Sequence, residues 1–175
     1  MTVTDSRCDE RPRLDDWAGQ YGAAVRGYIL ALVRNPHLAE DLAQEVFIRA
    51  WQGQARYQEQ GQAKAWLFRI ADHVVCDALR KRSVPTLGDQ VWDLADSGSG
   101  ADPAHRAAAN ETGSRLERAL DLLSPIQRRV LLLRYFGELP FGDIAAAVDC
   151  PLNTVLSHCR RALELLRTEF ADFTP

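Results

Sequence analysis

The fold is decided by residues Phe141–Leu166, which read FGDIAAAVDCPLNTVLSHCRRALELL. Ile144 and Val148 stand one helical turn apart, and the alanines between them leave room for a second helix to approach closely. Asp149 tolerates the left-handed backbone of a tight turn, and Pro151 disfavours helical geometry at the residue before it. The pattern therefore predicts two helices joined by a sharp turn, which is a helix-turn-helix.

The second helix of this pair has an apolar face and a polar face. Val155, Ala162, Leu163 and Leu166 are in register for burial. The polar face can reach phosphates and base edges, as a recognition helix does. An ordinary amphipathic helical hairpin has the same pattern, so the motif needs its context. The residues predicted to face out and contact DNA are Asn153, Thr154, Ser157, His158, Arg160 and Arg161.

The rest of the chain is also predicted to be helical. Apolar residues recur every three or four positions, and no segment alternates as a strand would. Ser124 followed by Pro125 is typical of a helix start. The Gly- and Gln-rich stretch at 53–62 is predicted to be a loop. The fold class is all-α, with helices at about residues 16–33, 37–52, 63–81, 107–122, 125–135, 141–148 and 152–170.

Residues 84–113 differ in composition from the segments on either side. They combine prolines, glycines and serines with five acids against one Arg, which is the composition of a flexible linker. The flanking segments, 14–83 and 114–170, are slightly basic. The sequence therefore predicts two small helical domains joined by a flexible acidic linker.

Net charge and hydropathy exclude several classes of protein. The chain of 175 residues has a net charge of −3, and weakly basic lobes predict poor DNA binding by the isolated chain. No apolar run approaches the ~20 residues that span a bilayer. The polar N-terminus has no signal-peptide core, so we expect a cytoplasmic protein without membrane insertion.

The cysteines indicate neither a metal site nor an enzyme. All four stand apart without a CxxC pair, which is typical of reduced thiols. His73 with Cys76, or Cys150 with His158 and Cys159, is an incomplete set for structural zinc. A redox role of Cys150 and Cys159 stays open. With no catalytic set and no phosphate loop in the sequence, we expect no enzymatic activity, cofactor or metal.

Four motifs in order resemble one family. They read AEDLAQEVFIRAW at 39–51, AKAWLFRIADHVVCDALRKRS at 63–83, LSPIQRRVLLLRYFGELPFGDIA at 123–145 and NTVLSHCRRALELLR at 153–167. Together they resemble the extracytoplasmic-function (ECF) sigma factors of bacterial RNA polymerase, group IV of the sigma-70 family. The resemblance covers about Trp17 to Arg167. It implies a factor that directs polymerase to specific promoters and promotes melting of the −10 element.

The resemblance also implies the two domains and their partners. Region 2, at 14–83, would bind core polymerase and the −10 element, and region 4, at 114–170, would bind the −35 element and the polymerase flap. Some apolar residues between Val130 and Phe136 would face that flap. In the family, the second helix docks on the clamp helices of the largest subunit, and Asp41, Gln44 and Glu45 match the contacting positions. The pattern alone favours a solvated helix face.

For the −10 element, the resemblance implies a loop that holds a flipped base, followed by a basic helix. Tyr57 either stacks on a base or pins the loop to the core, and Trp66 fits the core better than a melting wedge. Most relatives have Asn in place of His73, which puts the usual −10 sequence preference in doubt. The residues implied in −10 binding are Arg56, Tyr57, Arg69, His73, Asp77, Arg80, Lys81 and Arg82.

The recognition helix departs from the family pattern at three positions of the −35 contact. Relatives usually have Gly, Lys and Arg in place of Asn153, Leu156 and His158. Losing two cations lowers phosphate affinity, so we expect a −35 contact that is weaker or differently directed than usual.

The resemblance further implies control by an anti-sigma factor that wedges between the domains and covers apolar residues around Leu131 to Phe136. Two other classes remain open. One is a helix-turn-helix regulator that acts without polymerase, and the other is a helical protein-interaction module.

Overall fold

All regular structure in the described part of the chain is helical, as predicted. The computed structural model describes residues 14–54, 57, 62–83, 116 and 118–170. The predicted linker at 84–113 lies outside these residues, as does most of the helix predicted at 107–122, of which residues 116 and 118–121 are helical. The helices are α1 (Leu14–Val33), α2 (Pro36–Gly53), α3 (Ala63–Ser83), α4 (Pro125–Tyr135), α5 (Phe141–Val148) and α6 (Leu152–Glu169).

Side-chain caps set the start of two helices. The Asn35 side chain accepts a hydrogen bond from the Leu38 amide at 2.9 Å, and Pro36 follows in the first turn of α2. Ser124 and Gln127 form a reciprocal capping box at the start of α4, with bonds of 3.4 and 2.9 Å. Such a cap contributes about 1 kcal/mol. The helix start predicted at Ser124 is confirmed.

Helices α1, α2 and α3 pack together and form the N-terminal half of the molecule. The apolar spacing along α2 predicts that Leu38 and Leu42 are buried, but both are only half-buried. Ala39 and Ala43 take the buried positions instead, because their small side chains let α2 lie close to its neighbours. The residues that are buried in this half include Trp17, Val25, Tyr28, Ile29, Val46, Leu67 and Val74.

Helices α4, α5 and α6 form the C-terminal half, and α5 and α6 are the predicted helix-turn-helix. Asp149 ends α5 in the left-handed conformation, with φ 54° and ψ 50°, which confirms the predicted turn. Val155 and Ala162 are buried as expected, whereas Leu163 is 40% exposed. The prediction for Leu163 was wrong because one residue turns the helix by about 100°, which places Leu163 beside the buried face rather than in it.

The two halves share a hydrophobic core that the sequence did not predict. Residues of α1 and α3 and residues of α4, α5 and α6 belong to one continuous buried cluster. A β-carbon placed on Gly27 of α1 would lie 2.8 Å from the Phe136 ring, and one on Gly137 would lie 3.3 Å from the Phe68 ring. Aromatic rings from each half therefore fit against glycines of the other.

A buried carboxylate joins the halves at the centre of this contact. Asp72 of α3 is 0% exposed. It accepts hydrogen bonds from the Tyr28 hydroxyl at 2.6 Å and from Arg129 Nε at 2.7 Å, and Arg129 Nη2 donates to its second oxygen. Burial and Asp72 raise the pKa of Tyr28, so the phenol keeps its proton and donates. Burial opposes the charge of Arg129, but Asp72 raises the pKa of that guanidinium overall.

Two further ion pairs join the halves at the rim of this contact. Arg34 contacts Asp121 at 2.7 Å, and Lys64 contacts Glu138 at 2.7 Å. The hydrogen bond from Arg34 is the main reason that the pKa of Asp121 is lowered, with Arg128 adding to it. Each of these pairs has an exposed partner, so water and salt screen it and its contribution to stability is small.

The apolar residues of α4 were expected in part to face a partner. Val130 and Leu131 to Leu133 are buried, while Phe136 is 40% exposed, so the expectation stays a prediction for the exposed residues. Phe136 contacts Gly27 of the other half, and Tyr135 is 65% exposed. The excess of apolar residues in α4 arises because this helix contributes to two cores, that of the C-terminal half and that shared with the N-terminal half.

Candidate nucleic-acid and polymerase interfaces

The recognition helix α6 presents a polar outer face. Val155, Cys159 and Ala162 form its buried face, and burial raises the pKa of the Cys159 thiol. The Ser157 hydroxyl donates to the Asn153 carbonyl at 2.8 Å, so it is held close to its own helix. The predicted DNA contacts that are exposed are Asn153, Arg160 and Arg161, while Thr154, Ser157 and His158 are half-buried.

His158 is half-buried rather than fully exposed. Its Nδ1 is buried and has no hydrogen-bond partner among the described residues. His158 follows Val155 by three residues and precedes Ala162 by four, and both of those residues are buried. This register turns His158 toward the edge of the core. Its contact with the −35 element stays a prediction.

An exposed apolar strip lies beside the polar face of α6. Leu152, Leu156 and Leu163 are 46%, 40% and 40% exposed. Their spacing of four and seven residues places them along one side of the helix. Arg160 is partly engaged by Glu164, at 3.8 Å, which leaves Arg161 as the better candidate for reading a base.

The polar side chains on the exposed face of α2 differ in whether they already form an intramolecular pair. Asp41 and Gln44 are exposed. Glu45 accepts a hydrogen bond from Arg49 Nε at 2.6 Å, and Arg49 also lies 4.0 Å from Asp77. Asp41 and Gln44 can therefore contact a partner without breaking an intramolecular pair described here, whereas Glu45 would have to exchange one.

Two apolar residues on the same face of α2 were missed in the sequence. Ile48 is 49% exposed and Trp51 is 60% exposed. They continue the three-and-four spacing that begins at Asp41 and Gln44, so all four side chains lie on one side of the helix. That spacing was the signal that could have found them. An exposed Trp beside polar groups is typical of the centre of a protein interface.

Tyr57 belongs to an aromatic cluster at the end of the N-terminal half. Its ring centroid lies 5.3 Å from that of Trp17 and 4.8 Å from that of Trp66, and the two Trp rings lie 5.6 Å apart. These contacts favour the interpretation that Tyr57 pins the loop to the core. Trp66 is half-buried in the same cluster. The side chain of Arg56 lies outside the described residues.

A cavity of about 240 Å³ opens beside this cluster. Tyr57, Trp66 and Arg69 line it from the N-terminal half, and Asp143 lines it from α5. An aromatic wall with a cation suits a nucleobase and its phosphate. Gln62, Ala65 and Ala146 complete the lining.

The predicted −10 residues of α3 are spread along one exposed side. Arg69, His73, Arg80 and Lys81 are exposed. Asp77 is engaged by Arg80 at 2.8 Å, so it holds a basic neighbour in place. The side chain of Arg82 lies outside the described residues.

Neither a metal cluster nor a membrane span occurs in the part of the chain that the structure describes. No three His, Cys, Asp or Glu side chains there come close enough to hold an ion. None of the helices there is long and apolar enough to cross a bilayer.

Comparison with known proteins decides the family. The family model Sigma-70 region 2 matches residues 17–84, and Sigma-70 region 4 matches residues 114–166. The ECF RNA polymerase sigma factor RpoE of Cereibacter sphaeroides is 30% identical over 148 residues, which are 84% of this chain and 80% of that protein. The chain belongs to the ECF sigma factors. This sigma factor is also similar to SigW of Bacillus subtilis, at 28% identity over 81% of this chain and 80% of that protein.

Two solved structures share the fold of this sigma factor. RpoE of Bartonella quintana, in complex with the anti-sigma factor NepR, superposes with a TM-score of 0.72 at 24% identity, covering 90% of this chain and 96% of that one. CnrH, in complex with the cytosolic domain of CnrY, superposes with a TM-score of 0.68 at 18% identity, covering 92% and 89%. As a member of its family, the protein directs bacterial RNA polymerase to promoters and initiates transcription there.

Proposed function

We propose that this sigma factor uses three exposed surfaces in succession at a promoter. The exposed face of α2 binds the clamp helices of the largest polymerase subunit. The basic side of α3 and the preceding loop bind the −10 element, and the polar face of α6 binds the −35 element. The observation that carries the proposal is the polar face of α6, the second helix of the helix-turn-helix. This face exposes Asn153, Arg160 and Arg161 on the side opposite its buried residues. The protein then acts in the cytoplasm as an initiation factor and not as an enzyme.

Promoter recognition is expected to depend on polymerase. The net charge of −3 supplies little phosphate neutralisation, and that neutralisation provides most non-specific DNA affinity. In vitro transcription with core enzyme should therefore initiate at specific promoters. Gel-shift assays with the chain alone should detect only very weak duplex binding at physiological salt.

Tight, sequence-specific duplex binding by the purified chain would contradict this proposal. It would favour the second candidate, a helix-turn-helix regulator that acts without polymerase. The exposed face of α2 argues for the polymerase-dependent function, since a free-standing regulator has no use for that surface.

The α2 surface is expected to bind core polymerase. Asp41 and Gln44 are exposed, so their double replacement by alanine should leave the helical content unchanged. It should weaken binding by about 1–3 kcal/mol, the usual range for residues at an interface centre. Trp51→Ala should have an effect of the same size, because Trp51 is 60% exposed on that face. Surface plasmon resonance with immobilised core enzyme measures both.

Asp16→Ala is the matched control for this surface. Asp16 is an exposed acid on α1, so its replacement changes the net charge by the same amount as the loss of Asp41. If the Asp41/Gln44 double variant and the control bind core enzyme equally well, the α2 face is merely solvated.

We propose an anti-sigma factor as the regulatory partner. Support comes from the Bartonella quintana relative, which is bound to an anti-sigma factor. The exposed strip of Leu152, Leu156 and Leu163 on α6 offers that partner an apolar face, as interaction sites usually do. Affinity capture from the native cell under non-inducing conditions should recover a second protein besides polymerase, and recovery of polymerase subunits alone would count against this partner.

A further inference from the structure

Leu156 is an exposed apolar residue at the edge of the surface proposed to bind the −35 element. Its side chain is 40% exposed. It lies three residues after Asn153 and four before Arg160, both of which are exposed. Side chains at these two spacings are neighbours on a helix surface. Leu156 therefore adjoins two of the polar side chains that would meet the DNA.

The position of Leu156 along α6 places it near the bases. The helix begins at Leu152, so Leu156 lies in its second turn. In a helix-turn-helix, the N-terminal residues of the second helix contact base edges in the major groove. Leu163 is equally exposed, at 40%, but lies about 10 Å farther along the axis. Of these two exposed leucines, Leu156 is the one that can reach a base edge.

The major groove offers an apolar side chain one kind of partner. All four bases present hydrogen-bond donors or acceptors there, and thymine alone adds a methyl group, at C5. The side chain of Leu156 has no polar atom, so it cannot replace the water that it would displace from a donor or acceptor. Contact with the thymine methyl avoids this loss and buries apolar surface of both groups.

The neighbouring Asn153 fits the same base pair. Its side-chain amide can form two hydrogen bonds with adenine, to N6 and N7, and adenine is the partner of thymine. The Ser157 hydroxyl bonds the backbone carbonyl of Asn153 at 2.8 Å, which leaves the side-chain amide outside that contact. An amide and an isobutyl group side by side therefore favour an A·T pair over a G·C pair.

We propose that Leu156 packs against the C5-methyl group of a thymine in the −35 element and thereby selects promoters with a T·A pair at that position. The inference rests on the proposed binding of the −35 element by α6 and names the base that this helix prefers. Leu156 also belongs to the apolar strip proposed for the anti-sigma factor. DNA and that partner then compete for the same side chain.

The test begins with polymerase holoenzyme containing this sigma factor and a promoter library with a randomised −35 element. We expect a thymine at one fixed position among the selected promoters. Each thymine of the selected −35 element is then replaced in turn by deoxyuridine, which removes the methyl group and keeps every hydrogen-bonding group. One replacement should weaken holoenzyme binding about fourfold, the effect of one methyl group that is no longer buried. Competition binding with the labelled duplex measures this loss.

Leu156→Ala assigns the methyl contact to its side chain. Alanine is a good helix former, so circular dichroism should show unchanged helical content. Holoenzyme with this variant should bind the thymine duplex about fourfold more weakly than wild type, and it should bind the thymine and deoxyuridine duplexes equally. Leu163→Ala is the matched control, because Leu163 has the same exposure on the same strip. The control should keep the full preference for thymine.

Three results would overturn the thymine contact. They are equal binding of every deoxyuridine duplex by wild type, a thymine preference that survives in Leu156→Ala, and a loss of core-enzyme affinity in Leu156→Ala with the preference unchanged. The last result would assign Leu156 to a protein partner. A duplex with a scrambled −35 element separates these failures from failure of the proposed function. If holoenzyme binds the scrambled and selected duplexes equally, α6 does not bind the −35 element at all.

Discussion

Replacement of Phe68 by alanine is expected to lower the free energy of unfolding by about 3–5 kcal/mol. Phe68 is fully buried in the core shared by both halves. Its ring packs edge-on against Tyr28, with centroids 5.8 Å apart. Its removal leaves a cavity where α1, α3 and the segment around Gly137 meet, and that cavity cannot collapse without moving the Asp72 network. Urea denaturation followed by circular dichroism measures the loss.

Tyr135→Ala is the matched control for this prediction. Tyr135 is an aromatic residue of the other half and is 65% exposed, so its loss should change the free energy of unfolding by no more than about 0.5 kcal/mol. Equal losses for Phe68→Ala and Tyr135→Ala would contradict the shared core. A separate early transition in the Phe68→Ala variant would show that the two halves unfold independently once their contact is weakened.

Arg161→Ala is expected to weaken promoter binding of the polymerase holoenzyme by about 1–3 kcal/mol. Arg161 is exposed on α6, whereas its neighbour Arg160 is partly engaged by Glu164. The loss should be largest on the preferred −35 sequence if Arg161 reads a base. Competition binding with a panel of −35 variants measures it, and an equal loss on every sequence would assign Arg161 to a phosphate.

Arg167→Ala serves as the control in the same helix. Arg167 is exposed in the last turn of α6, about 9 Å along the axis from Arg161. Its replacement removes the same charge without touching the proposed contact. If the two variants lose equal affinity, the effect of Arg161→Ala reflects net charge and not a specific contact.

Local patterns in the sequence were sufficient to predict the helices and the turn. The helix start at Ser124, the left-handed Asp149 and the ends of α4 and α5 all depend on residues within four positions of each other. Errors arose where burial depends on the distance between helices. Leu38 and Leu42 gave way to Ala39 and Ala43, and Leu163 lies outside the buried face because the periodicity of a wide apolar side does not show which residue is central.

The candidate sites likewise differ in whether their residues lie on one helix or come from several segments of the chain. The side chains of the α2 and α6 surfaces could be grouped from the sequence because each set lies on one helix. The polymerase-binding role of the α2 set came only from the resemblance. The three-and-four spacing along α2 also indicated Ile48 and Trp51 on this face, although a search for polar side chains alone overlooks them. Tyr57 could not be assigned from sequence, since its partners Trp17 and Trp66 lie on two different helices, α1 and α3, whose packing sets the cluster.

The sequence by itself determined that the chain is helical, that it ends in a helix-turn-helix and that it resembles a sigma factor, because each of these depends on residues close together in the chain. Only the tertiary structure decided that the two halves close on each other. Asp72 and Arg129 are 57 residues apart, and the sequence does not show that they pair. Their pairing depends on the burial of Asp72 and on the fit of Phe136 against Gly27, which exist only after α1, α3 and α4 have packed.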